Sequence, residues 1–208
     1  MGSLSDGRLY GILDLNYVSS AEALRVAGEM IDGGVDVLQL RGKKNSATEI
    51  EAIATTLRPV TAKHSVPLII NDYPQIAQAV GADGVHVGQD DVSVNEAREQ
   101  GGGHLLVGKS THSLAQARAA IDEGADYIGF GPLFATPTKP DYKPIGLADI
   151  AEAHRIVKVP IFCIGGIKLE NLAQVIAAGA RRVVIVSGLL LAPNVADYAR
   201  ACKEQLQK

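Results

Sequence analysis

GADYIGFGPLFATPTK, residues Gly124 to Lys139, reads in succession as a helix stop, a strand and a stiff loop. Gly124 closes a helical pattern. Tyr127, Ile128 and Phe130 are bulky, strand-favouring residues. Gly129 and Gly131 alternate with Ile128 and Phe130. One face of that strand is therefore bare, which implies backbone or ligand lying close against it. Pro132 and Pro137 exclude a helix beyond the strand. The loop ends in Thr136, Thr138 and Lys139. Hydroxyls donate to phosphate oxygens and an ammonium supplies a point charge, so these types suit a phosphate. They also build plain surface turns, and on these three residues alone both readings stand.

The opening of this stretch recurs along the chain. A helix-stop glycine followed by a strand occurs at GVDV (Gly34), GADG (Gly81), GADY (Gly124) and GARR (Gly179). Gly34 to Gly124 is 90 residues and Gly81 to Gly179 is 98, a spacing that fits two half-barrels of four units. A Val-Pro step and an apolar triplet precede two further strands, at Val66-Pro67 and Val159-Pro160. Taken in order, strands are expected at Leu9–Asp14, Val37–Arg41, Leu68–Ile70, Gly84–Val87, Leu105–Val107, Tyr127–Phe130, Ile161–Ile164 and Val183–Val186. One helix is expected after each strand. Ser19 or Ser20 caps the first, Ser46 opens the second as a capping box with Glu49, and Ser93 opens the fourth. Short apolar strands alternating with amphipathic helices indicate a parallel sheet covered by helices. Eight such units predict an α/β fold, a (β/α)8 TIM barrel, in one domain over residues 1–208. An open doubly wound sheet lacks support, because no G-x-G-x-x-G follows the first strand.

Composition sets outer limits. Of 208 residues, 47% are hydrophobic and 21% charged, enough for a substantial core. A net charge of −3 argues against general nucleic-acid or membrane-surface binding. No apolar run is long enough to span a bilayer and no secretory signal is evident, so a cytoplasmic location is expected. Cys163 and Cys202 lie far apart, without metal-ligand spacing, and read as reduced thiols.

In a barrel of this kind the chemistry sits at the carboxyl ends of the strands. There the second strand offers Gln39, Arg41 and Lys43, all of one parity, pointing toward the axis and mouth. A buried Arg needs an anion or a carboxylate, either a ligand or an internal partner such as Asp72 or Asp91. Asp72 and Asp91 end adjacent strands. They suit either a shared Mg²⁺ or the capping of the helices that follow. Gly165-Gly166 and Ser187-Gly188 follow strands seven and eight, where barrels often bind phosphate and where tight turns also want glycine. His86, within a strand, reads as a core group, and His112 as a mouth residue. His64, His104 and His154 read as surface groups. Ser110 has no adjacent base at motif spacing, so no activated nucleophile is evident. The mouth thus offers two anion sites. One is cationic and near a possible metal. The other is built from backbone and hydroxyls.

Together these blocks resemble the thiamine phosphate synthase family, over about Leu9 to Leu190. The likeness rests on QLRGK (Gln39–Lys43), ND (Asn71-Asp72), GADGVHVGQDD (Gly81–Asp91), GKSTHS (Gly108–Ser113) and the opening stretch, completed by IGGI (Ile164–Ile167) and VSG (Val186–Gly188). It implies a (β/α)8 transferase. The enzyme would join 4-amino-2-methyl-5-(diphosphooxymethyl)pyrimidine to a 4-methyl-5-(2-phosphoethyl)thiazole, with or without a 2-carboxylate, releasing thiamine phosphate and pyrophosphate. By that likeness one Mg²⁺ sits on Asp72 and Asp91. Gln39, Leu40, Arg41, Gly42, Lys43, Asn71, Ser110 and Lys139 bind the pyrimidine diphosphate, and Arg41, Lys43, Lys139 and Ser110 serve catalysis. Thr136, Pro137, Thr138, Gly166, Val186 and Ser187 bind the thiazole phosphate. The expected partners are these small molecules, with no nucleic acid or membrane; a homo-oligomer is admitted and not required. Two positions depart from the family: Gly42 and Tyr73 stand where acidic residues are common. A thiazole tautomerase, using His86 or His112 as acid and base on the thiazole phosphate alone, is the second reading.

Overall fold

The computed structural model describes residue 4, residues 6–136 and residues 143–207. Eight parallel strands close into a barrel in chain order: β1 (Leu9–Asp14), β2 (Val37–Arg41), β3 (Leu68–Asn71), β4 (Gly84–Val87), β5 (Leu106–Thr111), β6 (Tyr127–Phe130), β7 (Ile161–Cys163) and β8 (Val183–Ile185). Between them stand α1 (Ala23–Asp32), α2 (Ala47–Lys63), α3 (Pro74–Ala79), α4 (Val94–Gln100), α5 (Leu114–Asp122), α6 (Ile150–Ile156) and α7 (Leu169–Ala177). The expected (β/α)8 barrel is the observed one. After β8 come two helices rather than one, a single turn α8 (Ser187–Leu190) and then α9 (Val195–Gln207). Strands seven and eight end at Cys163 and Ile185, each one residue short of expectation, and Ser187-Gly188 lie in α8 rather than in a loop. No helix of the described residues is long and apolar enough to cross a membrane.

Strand parity divides the core into two. Leu38, Leu40, Ile70, Val85, Val107, Ile128 and Phe130 point outward and pack, fully buried, beneath the helices. Residues of the other parity fill the barrel, with Tyr10, Val37, Ile69, Tyr127, Phe162 and Val184 forming its floor. The rings of Tyr10, Tyr127 and Phe162 meet at centroid distances of 5.1 to 6.1 Å, two of the pairs edge-on. Burying one such side chain contributes about 1.5–3 kcal/mol. Gly108 makes room for this layer: a Cβ there would lie 2.1 Å from the Tyr127 ring.

The recurring glycines have a common geometry. Gly34, Gly81, Gly124 and Gly179 each lie two residues past a helix, at φ of +93°, +65°, +86° and +105°. That region is open to glycine without steric cost. In three of the four repeats the Asp two residues later tethers the start of the preceding strand. Asp36 accepts from the Leu9 amide, Asp83 from Leu68 and Asp126 from Val107. Lys203, Arg58 and Arg98 pair with the three carboxylates. Arg181 stands in the fourth place, and next to it burial together with Arg181 and Arg8 lowers the pKa of Arg182.

The helix starts are mixed against expectation. Ser93 and Glu96 form a full capping box on α4. Ser46 accepts from the Glu49 amide on α2, and the Glu49 carboxylate accepts from Ser20 Oγ at 2.7 Å. Neither Ser19 nor Ser20 therefore caps α1, which begins at Ala23 behind Glu22 with no side-chain cap.

Candidate active site

The inward parity that builds the floor also builds the mouth. Four residues above Tyr10 and two above Ile12 stands Asp14; two above Gln39 stands Arg41. With Asn71, His86, Ser110, Gly129 and Ile164 they line a cavity of about 780 Å³, counting its open mouth. Thr136, Gly166, Val186 and Ser187 line the same cavity on its far side. Residues of both expected anion sites thus line one space, while Lys43, Asp72 and Asp91 are not among its lining residues.

Arg41 is 8% exposed and pairs with Asp14, which is fully buried. Asp14 and Arg41 are register partners across β1 and β2. This corrects the expected internal partner, Asp72 or Asp91: Asp72 follows the neighbouring strand β3 but pairs with Lys43, and Asp91 follows β4, one strand farther round. Asp14 also accepts from the backbone and side-chain amides of Asn16, both at 2.9 Å. The sequence marks Asp14 only as a strand end; its place opposite Arg41 follows from the register of β1 and β2. Gln39, 2% exposed, donates through Nε2 to Tyr10 Oη at 2.8 Å. Its buried Oε1 has no partner among the described residues.

Neither Asp72 nor Asp91 caps a helix. The cap position of α3 is Tyr73, and α4 is capped by Ser93. Asp72 instead sits at φ +66°, an unusual conformation for a side chain-bearing residue. Its carboxylate pairs with Lys43, whose ammonium also lies 4.0 Å from Asp91. Asp91 Oδ2 accepts from the Gly88 amide at 2.7 Å, an approach a Cβ at Gly88 would crowd. Burial raises the pKa of Asp72, Lys43 opposes the rise, and the neighbouring Asp91 carboxylate adds to it. Two carboxylates held together against their repulsion, gathered on one cation, are the oxygen donor set that a hard divalent ion takes. Among the described residues no third His, Cys, Asp or Glu completes a metal cluster. Mg²⁺ commonly draws its remaining ligands from water and substrate phosphates.

On the opposite side, the β6 and β7 loops are stitched together: Leu133 donates to the Ile164 carbonyl at 2.8 Å and Phe134 to Gly165 at 3.0 Å. The bare face of β6 serves this contact, since a Cβ at Gly131 would lie 2.0 Å from the Ile164 oxygen. Gly165 and Gly166 have φ of +98° and +65°. Pro137, Thr138 and Lys139 lie outside the described residues, so the loop's phosphate reading extends here only to Thr136.

Other sequence readings change. Leu40 is fully buried under the helices, so only its backbone faces the mouth. Gly42 faces α2, where a Cβ would meet Ile50 Cδ1 at 2.3 Å; Ile50 fills the space an acidic side chain would use. His86 is no isolated core group. Its Nε2 lies 3.0 Å from Ser110 Oγ and its Nδ1 3.2 Å from Tyr127 Oη, a juxtaposition made by pairing β4 with β5. His112 Nδ1 bonds the Gly131 carbonyl at the mouth. His154 is half-buried rather than a surface group, and burial with Arg181 and Arg182 lowers its pKa to about 4. Both thiols are buried, and that burial pushes them to about 12, so neither supplies a thiolate.

Comparison with known proteins gives one answer. The family model for thiamine monophosphate synthase matches residues 9–189. The chain is 42% identical over 193 residues to the thiamine-phosphate synthase of Halalkalibacterium halodurans, covering 92% of each. It is 44% identical over 196 residues to that of Chloroflexus aurantiacus, covering 94% of this chain and 90% of the other. A thiamine phosphate pyrophosphorylase from Pyrococcus furiosus superposes with a TM-score of 0.88 at 30% identity, covering 96% of this chain and 95% of that one. The 3-hexulose-6-phosphate synthase of Salmonella typhimurium, at 19% identity and a TM-score of 0.69, shares the fold.

Proposed function

Because the chain belongs to the thiamine-phosphate synthase family, a transferase that joins a pyrimidine diphosphate and a thiazole phosphate into thiamine phosphate, we propose how its mouth divides that work. Asp72 and Asp91 hold Mg²⁺. Gln39, Arg41, Lys43, Asn71 and Ser110 hold the aminopyrimidine methyl diphosphate, with the backbone of Leu40 and Gly42. Thr136, Gly166, Val186 and Ser187 hold the thiazole phosphate. Lys139, Pro137 and Thr138 join these sets by resemblance alone. The observation that carries the proposal is the gathering of Asp72 and Asp91 on Lys43, with Asp72 one residue beyond Asn71 and Lys43 two beyond the buried Arg41, both of which line the cavity.

Bound there, Mg²⁺ would neutralise charge on the departing pyrophosphate. Arg41 supplies fixed positive charge to the same group, its guanidinium already oriented by Asp14, so little reorganisation remains at the moment of bond breaking. Lys43 exchanges its carboxylate partners for phosphate oxygens. Loss of pyrophosphate leaves a methyl cation stabilised by the pyrimidine ring. The ring nitrogen of the thiazole, positioned by its phosphate, captures it. This course needs no protein nucleophile, in keeping with the two protonated thiols. The tautomerase reading is not carried forward, since the matching family model and the relatives are thiamine-phosphate synthases.

The test is one assay with both substrates, with and without Mg²⁺. Thiamine phosphate and pyrophosphate should form in equal amounts and only with the metal. Asp91→Asn should lower kcat/KM at limiting Mg²⁺ by roughly 10–100-fold, with partial recovery at high Mg²⁺. Turnover indifferent to chelator and to that substitution would overturn the metal assignment.

A further inference from the structure

One continuous hydrogen-bonded path crosses the barrel beneath the cavity. Gln39 Nε2 lies 2.8 Å from Tyr10 Oη, Tyr10 Oη 3.1 Å from Tyr127 Oη, Tyr127 Oη 3.2 Å from His86 Nδ1, and His86 Nε2 3.0 Å from Ser110 Oγ. Its two ends, Gln39 and Ser110, line the cavity; Tyr10 and Tyr127 lie below it, fully buried. We infer that Tyr10, Tyr127 and His86 are positioning residues: their chain has one direction, and it sets an acceptor at Gln39 and a donor at Ser110 for the pyrimidine edge. This rests on the assignment of Gln39 and Ser110 to the pyrimidine diphosphate.

The direction follows from proton counting. Burial raises both phenols well above their ordinary range, so each keeps its single proton. Gln39 Nε2 donates to Tyr10, so Tyr10 spends its proton on Tyr127. Tyr127 then donates to His86 Nδ1. That leaves His86 with its proton on Nε2, donated to Ser110 Oγ. The Ser110 proton is left for the cavity, and so is the buried Gln39 Oε1. Rotating the Gln39 amide would reverse every bond in the path. His86 would then accept from Ser110, as a general base does. In the inferred direction His86 is a donor, and Ser110 is a hydrogen-bond donor to substrate rather than a nucleophile. The ligand selected gives a hydrogen to Gln39 and takes one from Ser110, as an exocyclic amine beside an acceptor atom does. A pyrimidine with an oxo group in place of that amine offers the wrong partner to Gln39.

The test compares the aminopyrimidine diphosphate with its oxo analogue, the second measured as an inhibitor. The wild type should prefer the amino form by roughly 100-fold or more, the scale set by an unpaired buried polar group. Tyr10→Phe frees the Gln39 amide to rotate, and the preference should fall to within about tenfold. Tyr127→Phe should raise KM for the pyrimidine diphosphate roughly tenfold, leave the thiazole phosphate KM within about twofold, and cost little more in a Ser110→Ala background. An amino-to-oxo ratio unmoved by Tyr10→Phe would overturn the inference. So would additive losses, or equal rises in both KM values with a lowered Tm, the mark of a purely structural role. If instead Gln39→Ala and Ser110→Ala leave the pyrimidine KM unchanged, the substrate assignment beneath the inference has failed.

Discussion

At the scale of single residues, the site depends on charges placed where solvent alone would not hold them. Arg41 is buried only because Asp14 faces it across the sheet. Removing one partner of such a pair strands the other's charge. Asp14→Ala should therefore destabilise the protein by about 3–5 kcal/mol in denaturant melts, and Asp14→Asn by less, because it keeps an oxygen toward the guanidinium. Asp72 is the opposite case. Its pKa is raised, by burial first and by Asp91 as well. The folded state therefore binds a proton more readily than the unfolded chain. The stability it contributes is full at acid pH, below the unfolded pKa, and is lost as pH rises through the folded one. At neutral pH the carboxylate is a burden that the site retains. Asp72→Asn, which also tolerates the left-handed backbone, should raise the Tm of the metal-free protein at pH 7 while abolishing its response to Mg²⁺. A lower Tm for Asp72→Asn would show that Lys43 outweighs burial.

At the scale of elements, the rim is held by loops that lean on each other rather than by helices. The β6 loop hangs on carbonyls of the loop after β7, and Gly166 sits under it at φ +65°, with a Cβ there only 2.7 Å from the Ala135 oxygen. Gly166→Ala adds left-handed strain of about 1–2 kcal/mol, which the barrel can absorb. It also shifts the loop carrying Thr136. Steady-state kinetics should show the thiazole phosphate KM rising roughly tenfold, with the pyrimidine KM changed by less than about twofold. Equal effects on both would mean that the two anion sites do not divide as proposed. Much at this scale was legible beforehand. The glycine repeats announced the helix ends, and the bare face of β6 announced a close neighbour. The destination of the Glu49 carboxylate was not legible, because Ser20 lies on another unit of the barrel and competes for it.

At the scale of the whole molecule, closure of the sheet makes one cavity from eight strand ends. A ligand bridging both sides of the mouth binds only the folded barrel, so it must stabilise the whole by mass action. Mg²⁺ with pyrophosphate at about 100 times the dissociation constant should add about 2.7 kcal/mol, more than either component alone, and scanning calorimetry would show it. No extra gain from the combination would mean that metal and diphosphate do not share a site. By itself the sequence determined the barrel, its strand parity and most of the residues at its mouth, because periodicity and turn chemistry are local and each unit repeats them. Only the tertiary structure decided who pairs with whom. Asp14 meets Arg41, Lys43 gathers Asp72 and Asp91, and His86 meets Ser110, because register and closure bring together side chains whose separation along the chain carries no local signal.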